Sequence, residues 1–168
     1  MEIKILPLEK EEFIQYKKEM QEAFQAGAIA ELGEMTEEML KEQDIDQSLL
    51  TKGAVAYKAV TGTEMVGGAI VVIDEVTHYN HLEFLYVKNG MQGRGIGKAI
   101  WDKLEKIHPY TLMWETYTPY FEKRNIHFYI NCLGFHAVEF FHPGHKEADQ
   151  PEDLVGGDCY FRFRKNMK

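Results

Sequence analysis

Apolar and polar positions alternate over residues 1–8 (EIKIL), which predicts a first strand stopped by Pro7. The period then turns helical over 9–24, where Phe13, Tyr16, Met20 and Phe24 share one face and Glu12, Lys17 and Lys18 lie off it. Gly27 and Gly33 are expected to break that helix, and Thr36 to cap a second one over 37–47, with Glu37 and Glu38 where the helix dipole favours acids. Residues 53–60 and 64–73 read as strands joined at Thr61-Gly62-Thr63, and the pair Gly67-Gly68 inside the second marks a bulge or a close backbone approach. From 82 to 87 a further strand alternates Leu82, Phe84 and Tyr86 with Glu83, Leu85 and Val87. A turn-forming stretch, 88–93, leads into a helix whose face is Ile96, Ile100, Leu104 and Ile107. Beyond Pro109, residues 110–118 predict a strand and 121–133 a helix with Ile126, Tyr129, Ile130 and Leu133 available to the core. Gly134 would end this helix in a left-handed cap. Strands over 135–141 and 158–164 flank an acidic connection, 142–157. The order β α α β β β α β α β β predicts an α/β (α+β) single domain over 1–168.

Composition narrows the functional classes. A length of 168 residues suits one core, and no apolar run approaches the roughly 18 residues of a membrane span. No basic-then-apolar leader opens the chain, so a cytoplasmic location is expected. Nineteen Lys and Arg against 27 Asp and Glu give a net charge of −8, which argues against a nucleic-acid partner and favours a cationic small-molecule substrate. Cys132 and Cys159 are expected as core thiols rather than a disulfide framework. His142 and His145, with Glu147 and Asp149 nearby, lack a second cluster at fixed spacing, so no metal site is assigned; their segment reads as a flap over an acceptor site.

The chemistry concentrates where strand 82–87 meets the following helix. Glycines let an anion approach the unpaired N–H groups of a helix's first turn, and Arg94 and Lys98 add positive charge there. A Walker A loop is excluded, because Gln92 stands where its first Gly belongs and Ala99 where its hydroxyl does. A Rossmann fingerprint is excluded by Lys98 at its third Gly. The run Gln92-Gly93-Arg94-Gly95-Ile96-Gly97, five residues beyond Val87, instead resembles the Q/R-x-x-G-x-G/A pyrophosphate loop of the GNAT superfamily of acyl-CoA-dependent N-acetyltransferases. The resemblance extends over nearly the whole chain, including the Val66-Gly67-Gly68 step. It implies a mixed, mostly antiparallel central sheet with helices on both faces.

The same resemblance implies acetyl-CoA as co-substrate and a small cationic or amino-acid-like amine as acceptor, with a homodimer left open. It places Gln92, Gly93, Arg94, Gly95, Ile96, Gly97 and Lys98 on the pyrophosphate, and Leu85, Tyr86 and Val87 beside the pantetheine through main-chain groups. Trp114–Thr116 would lie across the gap. Glu83 and His81 occupy positions where some members carry a base, and strand periodicity puts both on one face; the alternative is two solvent-facing polar residues. The segment 121–135 resembles the family's N-x-x-A-x-x-[FL]-Y-x-x-[LCA]-G-F. However, Ile130 occupies the place of the Tyr that protonates the thiolate, Tyr129 stands one residue early, and Asn125 two residues late. One residue turns a helix by about 100°, so Tyr129 serves as the acid only if the helix is locally over- or under-wound, and otherwise packs in the core. A module that binds or senses acyl-CoA without catalysis is the alternative function.

Overall fold

A computed structural model describes residues 1–148 and 159–167, and the element order is the expected one. The strands are β1 (Lys4–Pro7), β2 (Ala54–Thr61), β3 (Glu64–Val72), β4 (Tyr79–Val87), β5 (Met113–Pro119), β6 (His136–Phe141) and β7 (Tyr160–Asn166). The helices are α1 (Phe13–Leu32), α2 (Glu42–Leu50), α3 (Ile96–Ile107) and the short α4 (Lys123–His127), which runs on into a π-helical turn, Phe128–Cys132. One seven-stranded sheet has the order β1-β2-β3-β4-β5-β7-β6, and every pairing is antiparallel except β4–β5.

Each face of the sheet carries a core. On one, Trp101 and Leu104 of α3 meet Leu82, Trp114, Phe135 and Phe163, and Trp101 stacks edge-on against Trp114 at 5.0 Å between ring centroids. On the other, Tyr16 and Met20 of α1 and Ile45 of α2 cover Ile70 and Tyr86. The Gly67-Gly68 pair is a close approach: a Cβ on Gly67 would meet the Tyr86 carbonyl oxygen at 2.5 Å, and one on Gly68 would meet the Tyr16 ring at 2.5 Å.

Several expected boundaries move. α1 passes through Gly27 and ends only at Gly33, where φ is 86°; one internal Gly costs about 1 kcal/mol against Ala, a cost that packing such as the burial of Ala28 offsets. α2 starts at Glu42, and Thr36 caps nothing. Gln21 and Gln25 of α1 explain the delay: their side chains bond the Leu40 and Glu37 carbonyl oxygens and the Met39 N–H, satisfying that backbone without a helix. Asp149, most of the acidic connection and Asp158 lie outside the described residues.

Candidate active site

The site begins where β4 and β5 part. Their parallel ladder registers three pairs, Tyr79 with Met113, Asn80 with Trp114 and His81 with Glu115. The Thr116 hydroxyl then donates to the Leu82 carbonyl at 2.9 Å, and beyond it the strands diverge while β4 stays paired to β3 as far as Val87. Leu85, Tyr86 and Val87 therefore present a backbone edge without a β5 partner, and all three line a cleft of about 940 Å³. Trp114–Thr116, which the resemblance would set across the gap, are not among the residues lining it, and Trp114 and Thr116 are buried.

The glycine loop and the first turn of α3 form one wall. Gly93, Gly95, Ile96, Gly97 and Lys98 line the cleft with Gln92, whereas Arg94 is exposed and is not among the lining residues. Gly93 and Gly95 have φ of 79° and 76°, and a Cβ on either would meet nothing within 4 Å. The loop thus leaves open the space that a phosphate against the unpaired N–H groups of a helix N-terminus requires. Gly97 has a different reason: its Cβ would come within 3.0 Å of the Phe128 ring, so it lets α3 pack on the opposite wall. That wall supplies two cations the sequence reading missed, Lys123 and Arg124, along with Asn125 and Tyr129. Lys98 is held by Asp102 at 2.9 Å. Cys132 is exposed and lines the cleft near His127 rather than sitting in the core, because the widened turn carries it outward; Cys159 is half-buried.

A second cavity of about 310 Å³ lies on the α1 side of the splayed strands. It holds His81, Glu83, Phe84, Tyr117, Glu122, Glu147 and Tyr160, and it shares Phe24, Leu85, Glu122, Asn125 and Tyr129 with the cleft. Glu83 arrives there by an irregularity. In the β3–β4 ladder Ile70 pairs with Phe84 but Val71 pairs with Leu82, so Glu83 is the extra residue of a bulge. The simple alternation of 82–87 is corrected accordingly: Leu82 enters the α3-side core, whereas Phe84 and Tyr86 turn to the α1 side.

His81 Nδ1 lies 2.9 Å from Glu83 Oε2 in an off-axis contact, and Ser48 of α2 donates to Oε1 at 3.5 Å. Burial pushes the Glu83 carboxyl up, but the close approach and charge of His81, with the Ser48 hydroxyl, outweigh it and hold the group below its ordinary range. Glu147 accepts one bond from the Tyr117 hydroxyl and one from the Tyr160 hydroxyl, each at 2.8 Å. Burial and the Glu147 carboxylate push the Tyr117 phenol up to about 12. With three carboxylates among aromatic walls, this cavity suits a cation carrying an apolar body.

Tyr129 stands between the two cavities because of the π-turn. Leu133 N–H bonds the Phe128 carbonyl at 3.0 Å and Phe135 N–H bonds that of Tyr129 at 2.9 Å, spacings of five and six residues. The widened turn absorbs the one-residue offset between Tyr129 and Gly134, whose φ of 86° is the expected left-handed cap. Burial, and secondarily the Glu122 charge, raises the Tyr129 phenol well above its ordinary value, while its bond with Thr116 opposes the shift. The hydroxyl stays protonated, as a donor must.

The comparisons bear on the family and the fold. The model of the acetyltransferase (GNAT) family matches residues 14–135. The chain is 39% identical to the uncharacterized protein YrkN of Bacillus subtilis, across 98% of this chain and 94% of that one. In fold it is similar to the PaiA N-acetyltransferase of Thermoplasma acidophilum in complex with coenzyme A (TM-score 0.70, 20% identity, 99% and 100% of the two chains). It is also similar to an Elizabethkingia anophelis GNAT acetyltransferase with acetyl-CoA bound (TM-score 0.69, 16% identity, 98% of each chain). No described helix is long and apolar enough to cross a membrane. With the family model covering the splayed strands, the glycine loop and α4, the chain belongs to the GNAT family of acetyltransferases.

Proposed function

We propose that this protein is an acetyl-CoA-dependent N-acetyltransferase, cytoplasmic, that acetylates a primary amine of a small cationic acceptor. The observation that carries the reading is the meeting of two cavities at Leu85, Glu122, Asn125 and Tyr129. One suits an extended, anionic co-substrate held by main-chain groups, and the other is an acidic, aromatic chamber. In this reading the first turn of α3 with Gly93 and Gly95 binds the pyrophosphate, aided by Lys98, and the Leu85–Val87 edge holds the pantetheine arm. Glu83, ionised and oriented by His81, takes the proton of the incoming ammonium, directly or through a water. Tyr129 gives a proton to the departing sulfur. A thiol-release assay with acetyl-CoA and a panel of cationic, neutral and anionic amines tests it: CoA formation should depend on the acceptor and favour cations. Tight CoA binding with no acceptor-dependent release would establish the binding module instead.

A further inference from the structure

Moving an acyl group from sulfur to nitrogen requires two proton departures from the amine. The ammonium loses one before it attacks. Once bonded to the acyl carbon, the nitrogen is positive again and must lose a second as the carbon–sulfur bond breaks. Glu83 and His81 line only the acceptor cavity, so they are placed for the first proton. The second appears where the cavities meet. Of the five residues shared there, only Glu122 and Tyr129 titrate.

Resting on the acetyltransferase reading above, we propose that Glu122 is a catalytic residue that accepts this second proton and returns it, by way of the Tyr129 hydroxyl, to the sulfur. The steps balance. The amine lone pair forms the carbon–nitrogen bond as the carbonyl π pair moves to oxygen; that pair returns as the carbon–sulfur bond breaks and its electrons leave on sulfur. Tyr129 protonates the sulfur, Glu122 takes a proton from nitrogen and passes it to the phenolate, and both side chains end as they began.

Glu122 is suited to the task by its surroundings. Only 7% of it is exposed, and among the described residues its carboxylate has no hydrogen bond or ion pair. The charges that act on it are Glu31 of α1, which accepts from the Arg124 N–H at 3.3 Å, and the Arg124 side chain, and its own charge acts in turn on the neutral Tyr129 phenol. Glu83, His81 and Glu147 face the same cavity. Burial first, and Glu31 second, raise its carboxyl above the ordinary value against the pull of Arg124, which makes it a better base than an exposed carboxylate.

Two nucleophiles separate the roles at pH 7: phenethylamine, protonated in solution, and phenylhydrazine, neutral. Glu83→Gln should be impaired with the first only, because the second arrives with its lone pair free. Glu122→Gln should lower kcat by roughly 10- to 100-fold with both, with KM within about threefold. Calorimetric CoA affinity should stay within about twofold of wild type, and thermal stability at pH 7 should be equal or higher, because a buried charge beside Glu31 is removed. Glu122→Asp should recover part of the lost kcat. Wild-type kcat for Glu122→Gln with phenylhydrazine would overturn the proposal, as would a loss confined to stability or CoA affinity. If the wild type binds CoA but releases none with either probe, the acetyltransferase reading falls, and this one with it.

Discussion

Replacing Gly95 by Ala should separate backbone strain from ligand space. Gly95 is the N-cap of α3 at φ 76°, a conformation that costs a residue with a Cβ about 1–2 kcal/mol. In the free protein that is the whole cost, because the new methyl would meet nothing within 4 Å. For a domain of this size it should lower Tm by about 2–8 °C. Gly90 provides the control: at φ 93°, likewise with nothing within 4 Å of a Cβ, it is not among the residues lining the cleft. Gly90→Ala should show the same loss of Tm. The two variants should part when CoA is added. At a concentration of about 100 Kd a ligand stabilises by about 2.7 kcal/mol, a rise of about 5–11 °C that wild type and Gly90→Ala should both show. Gly95→Ala should show little or none, because its methyl occupies the space a phosphate needs. Thermal unfolding with and without CoA, backed by calorimetric Kd values, measures all of this. An undiminished CoA shift in Gly95→Ala would refute the assignment of the loop as a phosphate seat; loss of the shift in both variants would attribute the effect to loop shape.

Glu83→Gln should lower kcat/KM by about 100-fold at pH 7, where only about one in 2500 molecules of an amine with a Lys-like pKa of about 10.4 is neutral. The deficit should narrow as pH rises, and an unchanged pH–rate profile would move the role to His81. The same carboxyl is held low by its neighbours, so its contribution to stability is full above the unfolded value of about 4.3 and is lost as pH falls through the folded one; acid titration of Tm should be steeper for wild type than for Glu83→Gln. Tyr129→Phe should reduce kcat about 10-fold or more while leaving CoA affinity intact, at a stability cost of about 1 kcal/mol for the hydroxyl's bond to Thr116; an unaltered kcat would return Tyr129 to a packing role. Deleting Asn131 should convert the π-turn to an α-helical one and leave Tyr129 four residues before Gly134, so the variant should fold, bind CoA and keep kcat within about tenfold; loss of CoA binding would show that the wide turn itself shapes the cleft.

What was legible in the sequence was local. The strand, glycine loop and amphipathic α3 occupy one continuous stretch, and the periodicity of Ile96, Ile100 and Leu104 matches their burial, although Ile107, expected on the same face, is exposed at the helix end. Features that depend on distant partners were not. α1 outlasts Gly27, and α2 starts late because Gln21 and Gln25 reach across to residues 37–40. Glu122 reads in sequence as one acid before a helix; its burial beside Glu31, some ninety residues away, exists only in the fold. Lys123 and Arg124 likewise become cleft cations only when α4 lies opposite the loop.

The two departures from regular geometry near the site have one origin. A strand brings alternate side chains to one face, and a helix repeats every 3.6 residues. Neither period alone places Glu83 or Tyr129 where it stands. In β4 one extra residue at Glu83 lets Leu82 serve the α3-side core while Phe84 and Tyr86 serve the other, and the extra position falls in the second cavity, the proposed acceptor site. In α4 one extra residue in the turn keeps Leu133 and Phe135 in the core while Tyr129 reaches the junction. Each insertion lets a buried scaffold keep its packing while one polar side chain is aimed independently of it, which is why Glu83 and Tyr129, two of the groups assigned to proton transfer, stand at irregular positions, whereas Glu122 reaches the junction from the regular start of α4.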